Sequence, residues 1–480
     1  GKLDPYEDQR NTIRDRAEDI LSKMNLDEKI HLLKGSGMGS AIGAYSDGVP
    51  GAVGTIVSTP RLGLPEIYLS DGPAGLRIIS KREDEDKRYY STAFPIGTSL
   101  ASTWNTELVK NVGASIGSEA KSYGIDVVLG PGVNLHRHPL CGRNFEYYSE
   151  DPFLTGHIGS AMINGIESNG IGTSPKHFAV NNQETSRNWN DAIVSERALR
   201  ELYLKSFEII VKESQPWAIM TSYNKINGTY AAENKKLLTN ILRKEWSFEG
   251  LVMTDWYGGR NSTNIIKAGN DLIEPGTKND WDDLKESAKD GSLPIVDIDT
   301  SVKRILKLVL KSKKMQNYNF DNNPKLKEHA LVAREAGAEG IILLKNNNTL
   351  PLKNINNIAL IGSTSYEFIT GGTGSGDVDE AYSVSLDEAL KNNGYKLNKV
   401  AFEEYLKQNL KTTQKKEEEE EEEDPGAIDF LMRMINPPKP LDINYSAELI
   451  TKTSETADIA IITIGRNSGE TADRKVKDDF

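Results

Sequence analysis

The chain has 480 residues, of which 37% are hydrophobic and 27% charged, and its formal net charge is −12 at pH 7. This length and composition indicate a folded globular protein of more than one domain, and the acidity argues against nucleic-acid binding, which uses a basic surface. The single cysteine excludes intrachain disulfides, the six histidines are too few to suggest a metal site, and no apolar run is long enough to span a membrane.

Helix and strand patterns alternate through the first part of the chain. Apolar residues at helical spacing predict a helix near residues 11–24, and Asn25 with Glu28 three positions on predicts the N-cap of a second helix. From about residue 63 to residue 313, helix-like stretches such as Ser195–Ser214 and Asn234–Lys244 separate short apolar runs. The clearest predicted strands are Ile125–Leu129, Thr173–Phe178, Trp217–Tyr223, Gly250–Asp255 and Asp271–Glu274. This alternation predicts an α/β fold in which residues 1–315 form a (β/α)8 TIM-like barrel.

A second α/β domain is predicted for residues 331–480, after a polar linker at residues 316–330. Its expected elements are a helix at Lys327–Ala338 and strands at Gly340–Leu344, Asn357–Ile361 and Ala457–Ile464. We expect an α/β sandwich that is incomplete at its C-terminal end, because only residues 465–480 follow the last strand. A second polypeptide is expected to complete the sandwich. The sequence leaves open whether the protein forms a homo-oligomer.

An acidic segment interrupts this second domain around residues 412–440 and includes the unbroken run Glu417–Glu423. Such a segment has little apolar surface to bury, so a disordered insertion is predicted. A calcium-binding or partner-binding segment is the alternative.

Two predicted strands end in side chains that can carry chemistry. Asp255 ends one of them, and the next residue, Trp256, offers an apolar face of the kind on which sugar rings stack. Catalytic residues of barrel enzymes lie at the C-terminal ends of strands, so Asp255 is a candidate, with a helix cap as the alternative. Lys176 and His177 lie near the end of another strand. The alternatives for Lys176 are a substrate donor, a Schiff-base lysine and a structural ion pair.

Loops supply further charged candidates. Asp71 and Arg77 flank a turn. Their side chains either converge on a polar ligand or form a salt bridge with each other within the loop. Arg143 follows a Gly/Pro-rich stretch and is a weak signal by itself. The glycine run Gly371–Gly376 has the wrong spacing for a dinucleotide loop and favours a substrate loop. Glu470 follows the last predicted strand, where open α/β sheets bind ligands, and a solvated loop is the alternative.

Five motifs occur in order along the chain: Ser-Asp-Gly-Pro-Ala-Gly-Leu-Arg, Gly-Arg-Asn-Phe-Glu-Tyr-Tyr-Ser-Glu-Asp-Pro, Lys-His-Phe-Ala-Val-Asn-Asn-Gln-Glu, Met-Thr-Asp-Trp and Gly-Arg-Asn-Ser-Gly-Glu. Together they resemble glycoside hydrolase family 3, the family of β-glucosidases and β-xylosidases. The resemblance implies a barrel followed by a sandwich, with Asp255 as nucleophile and Glu470 as acid/base between them. The residues that it implies for the sugar pocket are Asp71, Arg77, Arg143, Lys176, His177, Arg187, Met220, Tyr223, Trp256 and Ser375.

The expected function is that of a retaining, exo-acting β-glucosidase that needs no cofactor or metal. A general acid must be protonated, so we expect burial and the charge of Asp255 to raise the pKa of Glu470. Thr471 replaces a glycine that usually follows this glutamate in the family, and a β-branched residue there is expected to change the loop.

Other functions stay open at this point. They are a β-xylosidase of the same fold, a Schiff-base aldolase and a non-catalytic sugar-binding subunit. The sequence does not determine the location, although the hydrolysis of oligosaccharides favours a periplasmic or extracellular one.

Overall fold

A computed structural model describes residues 3–37, 49–82, 85–419 and 440–479. The helices of its N-terminal unit are α1 (Ile13–Lys23), α2 (Leu26–Leu32), α3 (Gly97–Ser102), α4 (Thr106–Tyr123), α5 (Pro152–Glu167), α6 (Glu196–Ala198), α7 (Lys205–Ser214), α8 (Ser262–Ala268), α9 (Lys278–Asp290) and α10 (Ile295–Lys311). Its strands are β1 (Gly54–Ile56), β2 (Ile67–Asp71), β3 (Val127–Leu129), β4 (Gly172–Thr173), β5 (Asp191–Ala192), β6 (Ala218–Met220), β7 (Lys225–Ile226), β8 (Thr229–Tyr230) and β9 (Leu251–Met253). The predicted capping box of Asn25 and Glu28 at α2 is confirmed.

Short parallel strands form the centre of this unit. β2, β3 and β4 pair in parallel, as do β6 and β9, whereas β1 pairs with β2 antiparallel. Single parallel bridges extend the series from Phe178 to Thr221, from Met253 to Leu272 and from Ile273 to Lys34. Among the described residues no backbone pairing joins Lys34 to β1, so the pairings form an open series. The closed (β/α)8 barrel therefore stays a prediction.

The candidate site residues of the N-terminal unit lie at one end of these strands, because the strands run in parallel. The strands β3, β6 and β9 are buried on both faces, between two apolar clusters of residues from strands and surrounding helices. The polar residues that follow β9 and the β4 segment therefore emerge at the same edge. Within the described residues, no helix is both long and apolar enough to cross a lipid bilayer.

A smaller parallel sheet forms the C-terminal unit. Its strands are β10 (Asn357–Ile361), β11 (Lys396–Leu397) and β12 (Ile459–Ile462), in the order β11-β10-β12. Its helices are α11 (Leu326–Glu339), α12 (Leu386–Asn392), α13 (Lys399–Glu419), α14 (Ala447–Thr456) and α15 (Val476–Asp479). The predicted helix at Lys327–Ala338 and the strands near residues 357–361 and 457–464 are thus present.

Two predictions for this unit need correction. The apolar run Gly340–Leu344 is not a strand: no described part of the chain pairs with it, and Leu344 is 92% exposed. A strand requires a neighbour to take its backbone hydrogen bonds, and an apolar run alone does not supply one. The predicted disordered insertion begins as helix, because α13 continues to Glu419. Its remaining part, residues 420–439, lies outside the described residues.

The buried carboxylate of Glu119 on α4 contacts α11. Glu119 is fully buried, accepts hydrogen bonds from the backbone nitrogen (3.0 Å) and Oγ1 (2.6 Å) of Thr92, and lies 2.7 Å from Nδ1 of His329 on α11. Because buried polar groups left without partners are costly, this contact stabilises the join between the two units.

We expect Glu119→Ala to lower the free energy of unfolding by about 1–3 kcal/mol, since the buried amide of Thr92 loses its acceptor. Chemical denaturation measures the change. The exposed Lys110 lies on the same helix, and Lys110→Ala is the control, with an expected effect within about 0.5 kcal/mol. Equal effects of the two substitutions would contradict the role of Glu119.

Candidate active site

Asp255 presents one carboxylate oxygen without a partner. It follows β9 by two residues and is 6% exposed. Its Oδ1 accepts a hydrogen bond of 2.8 Å from the backbone nitrogen of Trp256, whereas Oδ2 has no hydrogen-bond partner among the described residues. The nearest ring nitrogen, Nε2 of His177, lies 3.6 Å from Oδ2. One oxygen therefore fixes the carboxylate and the other is available to a ligand.

The charges around Asp255 come from distant segments of the chain. Burial raises the pKa of Asp255, the cations Arg143, Arg187 and Lys176 lower it, and Glu470 raises it. Burial, together with the same three cations, holds the pKa of His177 well below its usual value. The imidazole is therefore neutral at physiological pH, and its contact with Asp255 is not a salt bridge.

Glu470 enters this site from the C-terminal unit. It lies on the loop after β12, is 7% exposed, and its Oε1 accepts a 3.0 Å hydrogen bond from the backbone nitrogen of Ser375. Nη2 of Arg143 lies 3.2 Å from Oε1, and Nη1 of Arg187 lies 3.1 Å from Oε2. The carboxylate is thus bound by two arginines of the N-terminal unit.

This binding changes the expected protonation of Glu470. Burial alone would raise its pKa, but Arg143, Arg187 and Lys176 together outweigh burial and lower it. The pKa is therefore shifted in the direction opposite to the one expected from the sequence. The sequence argument considered burial and Asp255 but could not count cations that folding brings from three other segments.

The glycine run lies behind Glu470. Gly374 has φ +88°, and a Cβ there would lie 2.8 Å from Cγ of Glu470. Ser375, the next residue, accepts hydrogen bonds at Oγ from Nη2 of Arg143 (3.0 Å) and Nζ of Lys176 (3.3 Å). This loop therefore adjoins the charged cluster, and its role in substrate binding stays a prediction.

The loop after β2 contributes a further acidic group. Oδ1 of Asp71 lies 3.5 Å from Nζ of Lys176, and its Oδ2 lies 3.5 Å from Nη1 of Arg77. Burial raises the pKa of Asp71, while Lys176 and Arg77 lower it. Asp71 and Arg77 thus form an ion pair within their loop and also join the larger cluster through Lys176.

Aromatic residues border the charged cluster, and the predicted residue Met220 belongs to the apolar core. The guanidinium of Arg187 lies 4.5 Å from the centre of the Tyr223 ring. Nε1 of Trp256 donates a 3.1 Å hydrogen bond to the carbonyl of Val53, which fixes the indole. Met220 at the end of β6 belongs to an apolar cluster, and no described contact joins its side chain to the charged groups.

Sequence reasoning missed two acidic residues in this charged cluster, Glu146 and Glu184, and a third, Glu274, outside it. Glu146 forms an ion pair with Arg143, and Glu184 forms one of 2.7 Å with Arg187. Both lie within motifs quoted above, three residues from their arginines, so ion-pair spacing was an available signal. Glu274 ends a predicted strand as Asp255 does. It is fully buried, neither carboxyl oxygen has a hydrogen-bond partner among the described residues, and burial raises its pKa well above the usual value.

Thr471 adopts the conformation that a glycine would take at this position. Its φ is +71°, and its backbone nitrogen donates a 2.9 Å hydrogen bond to Oε2 of Glu184. A β-branched residue with positive φ is strained by about 1–3 kcal/mol. Thr471 therefore holds a left-handed conformation at the cost of strain, and the expected change in loop shape stays a prediction.

Comparison with known proteins agrees with this arrangement. The model of the glycosyl hydrolase family 3 N terminal domain matches residues 69–308, and that of the family 3 C-terminal domain matches residues 341–478. The chain belongs to glycosyl hydrolase family 3. It has the two-domain α/β fold of that family, and Asp255 and Glu470 lie in different domains of it.

Similar proteins are β-glucosidases and a related exo-glycosidase. Thermostable beta-glucosidase B of Acetivibrio thermocellus is 41% identical over 73% of this chain and 47% of its own length. An exo-alpha-(1->6)-L-arabinopyranosidase of Bifidobacterium longum is 39% identical over 70% of this chain and 46% of its own. The structure of beta-glucosidase 3B from Thermotoga neapolitana with alpha-D-glucose superposes with a TM-score of 0.89 at 46% identity, covering 97% of this chain and 64% of that one. The chain thus spans about half the length of these curated relatives.

We expect Thr471→Gly to raise the free energy of unfolding by about 1 kcal/mol, because glycine adopts positive φ without strain. Thermal unfolding measures the change. The neighbour Ala472 has no positive φ, so Ala472→Gly is the control and is expected to lower stability. A loss of stability in Thr471→Gly as large as in the control would contradict strain at Thr471.

Proposed function

We propose that this protein is a retaining, exo-acting β-glucosidase with Asp255 as nucleophile and Glu470 as acid/base. The observation that carries the proposal is the pairing of two buried carboxylates from two domains in one charged cluster. One of them, Asp255, has a free oxygen beside a neutral His177, and the other is held by arginines. Retaining glycosidases use a nucleophile and an acid/base on opposite sides of the scissile bond.

In the first step, Oδ2 of Asp255 attacks the anomeric carbon, and the bond from that carbon to the leaving oxygen breaks. The proton of Glu470 passes to the leaving oxygen, so the products are a glucosyl ester of Asp255 and an alcohol. Arg143 and Arg187 favour the ionised form of Glu470 in the free site. Substrate must therefore weaken at least one of these contacts before Glu470 can act as an acid.

In the second step, water attacks the anomeric carbon of the ester, and Glu470 takes its proton. Asp255 leaves as a carboxylate, and β-glucose is released with its configuration retained. The lowered pKa of Glu470 suits this step, because a base must be ionised. The arginines therefore favour the half of the cycle in which the glucosyl ester is hydrolysed.

The remaining polar groups are proposed to bind the hydroxyls of one terminal sugar, which makes the enzyme exo-acting. Lys176, Arg143 and Asp71 offer charged hydrogen-bonding groups, and Trp256 offers a ring face. The contacts of the Lys176 amine with Asp71 and Ser375 support a role as a hydrogen-bond donor over a Schiff-base role. Xylose lacks one hydroxymethyl group, a difference that pockets discriminate by only about 1–3 kcal/mol per methylene. The pentose-releasing relative supports xylosides or arabinosides as secondary substrates.

We also propose the domain organisation expected from the sequence, with a closed (β/α)8 barrel at residues 1–315, a linker at 316–330 and a sandwich at 331–480. A 3.2 Å hydrogen bond from the backbone nitrogen of Ser36 to Oγ1 of Thr55 supports closure of the barrel beside β1. In the sandwich, Ile462 is 68% exposed and Ile464 is 82% exposed. Apolar exposure of this kind supports a further polypeptide segment that covers this face.

We expect Asp255→Ala to reduce turnover of aryl β-glucosides by several orders of magnitude with the fold retained, because no other group can form the covalent ester. Steady-state kinetics and circular dichroism check the two parts. A 2-deoxy-2-fluoro-β-glucoside is expected to label Asp255, as read by peptide mass mapping. A label on a different carboxylate would refute the assignment.

We expect Glu470→Ala to slow alkyl β-glucosides far more than dinitrophenyl β-glucoside, because a good leaving group needs little protonation. Azide, which needs no base, is expected to restore turnover of the activated substrate and to give β-glucosyl azide, as identified by NMR. If both kinds of substrate slow equally and azide has no effect, Glu470 is not the acid/base.

A further inference from the structure

We propose that Glu184 and Asp473 are positioning residues that together fix Glu470 in the active site, each binding the backbone of the other's loop. The inference rests on the proposed role of Glu470. Neither side chain has a described contact with Asp255. Asp473 acts on Glu470 through the loop that carries both residues, and Glu184 acts through that loop and through Arg187.

Asp473 binds the N-terminal domain through both of its oxygens. Oδ1 accepts hydrogen bonds from the backbone nitrogens of Gly142 (3.1 Å) and Glu184 (2.9 Å), and Oδ2 accepts one from Thr185 (2.9 Å). Three backbone donors from two loops thus converge on one carboxylate. Because its oxygens accept these N–H groups, Asp473 serves as an anchor and not as the proton donor.

Glu184 makes the reciprocal contact. Its Oε2 accepts a 2.9 Å hydrogen bond from the backbone nitrogen of Thr471, the residue after Glu470. The same oxygen lies 2.7 Å from Nη1 of Arg187, which in turn lies 3.1 Å from Oε2 of Glu470. Glu184 is 1% exposed, so water does not compete for these contacts. It therefore holds both the backbone beside Glu470 and the arginine that binds the Glu470 side chain.

The loop needs such external contacts because its local conformation is unfavourable. Thr471 has φ +71°, and strained residues persist only where the surroundings determine their conformation. The two carboxylates bracket this residue, Glu184 at its amide and Asp473 two positions on. The pattern resembles a helix capping box, in which two side chains each bind the other residue's backbone, but here it joins two domains.

The test uses the intact enzyme with Asp473→Ala and Glu184→Gln. A displaced Glu470 protonates the leaving group poorly, so kcat/KM for an alkyl β-glucoside is expected to fall about 10- to 100-fold, as misplacement by about 1 Å can cause. For dinitrophenyl β-glucoside, kcat/KM is expected to change little, and azide is expected to raise kcat. Asp458→Ala is the matched control, because Asp458 also binds two backbone amides, those of Asn356 and Asn357, away from the site.

Hydrogen exchange provides a reading that does not depend on activity. The backbone nitrogens of Thr373 and Arg474 donate to the backbone carbonyls of Ser468 and Leu140, so neither bond is made by a substituted side chain. Their protection factors, which correct for the changed intrinsic exchange rate at Arg474 beside the substitution, are expected to fall in Asp473→Ala and to stay unchanged in Asp458→Ala. If the wild-type protein hydrolyses no β-glucoside, the proposed function fails. The exchange measurement still tests whether Glu184 and Asp473 fix the loop that carries Glu470.

Two outcomes would overturn the proposed positioning role of Glu184 and Asp473. One is an equal loss of kcat/KM on both kinds of substrate, which indicates a general structural defect. The other is unchanged exchange at Thr373 and Arg474. If Asp473→Ala fails to fold, Asp473→Asn keeps one oxygen acceptor in place and permits the same comparisons.

Discussion

Two arginines of the N-terminal domain bind one carboxylate of the C-terminal domain, and the active site depends on this interaction. Buried charges are tolerated only when they are paired, so Glu470 requires Arg143 and Arg187, whereas each arginine also has a carboxylate partner in its own domain. If the domains separated, Glu470 would lose both arginines, each arginine would lose one of its two carboxylate partners, and the cluster would have to hydrate. The domain contact is thus an electrostatic requirement of the site and not only a matter of packing.

The same interaction sets the chemistry of the neighbouring groups. The cations that hold Glu470 also keep His177 neutral and oppose the effect of burial on Asp255. A neutral imidazole beside Asp255 can offer a hydrogen bond without neutralising the carboxylate. Loss of either arginine would therefore alter several titrating groups together, so effects of single substitutions in this cluster are not additive.

Local patterns predicted the parts of this structure that local forces determine. The strand that precedes Asp255 and the capping box at Asn25 follow from apolar runs and from spacing within a few residues. The failure at Gly340–Leu344 has a physical reason, because a strand requires a partner that its own sequence does not specify. The pKa direction of Glu470 was missed for a related reason, since it depends on cations that only folding brings near.

The close approach of the two domains also limits how they can be recombined. A Cβ at Gly142 would lie 2.1 Å from the carbonyl oxygen of Ala472 and 2.5 Å from that of Gly469. The two surfaces are therefore shaped to each other at the level of single atoms. A chimera that takes its C-terminal domain from a relative must keep glycine at position 142, and must exchange the loops around residues 142 and 469 as a pair.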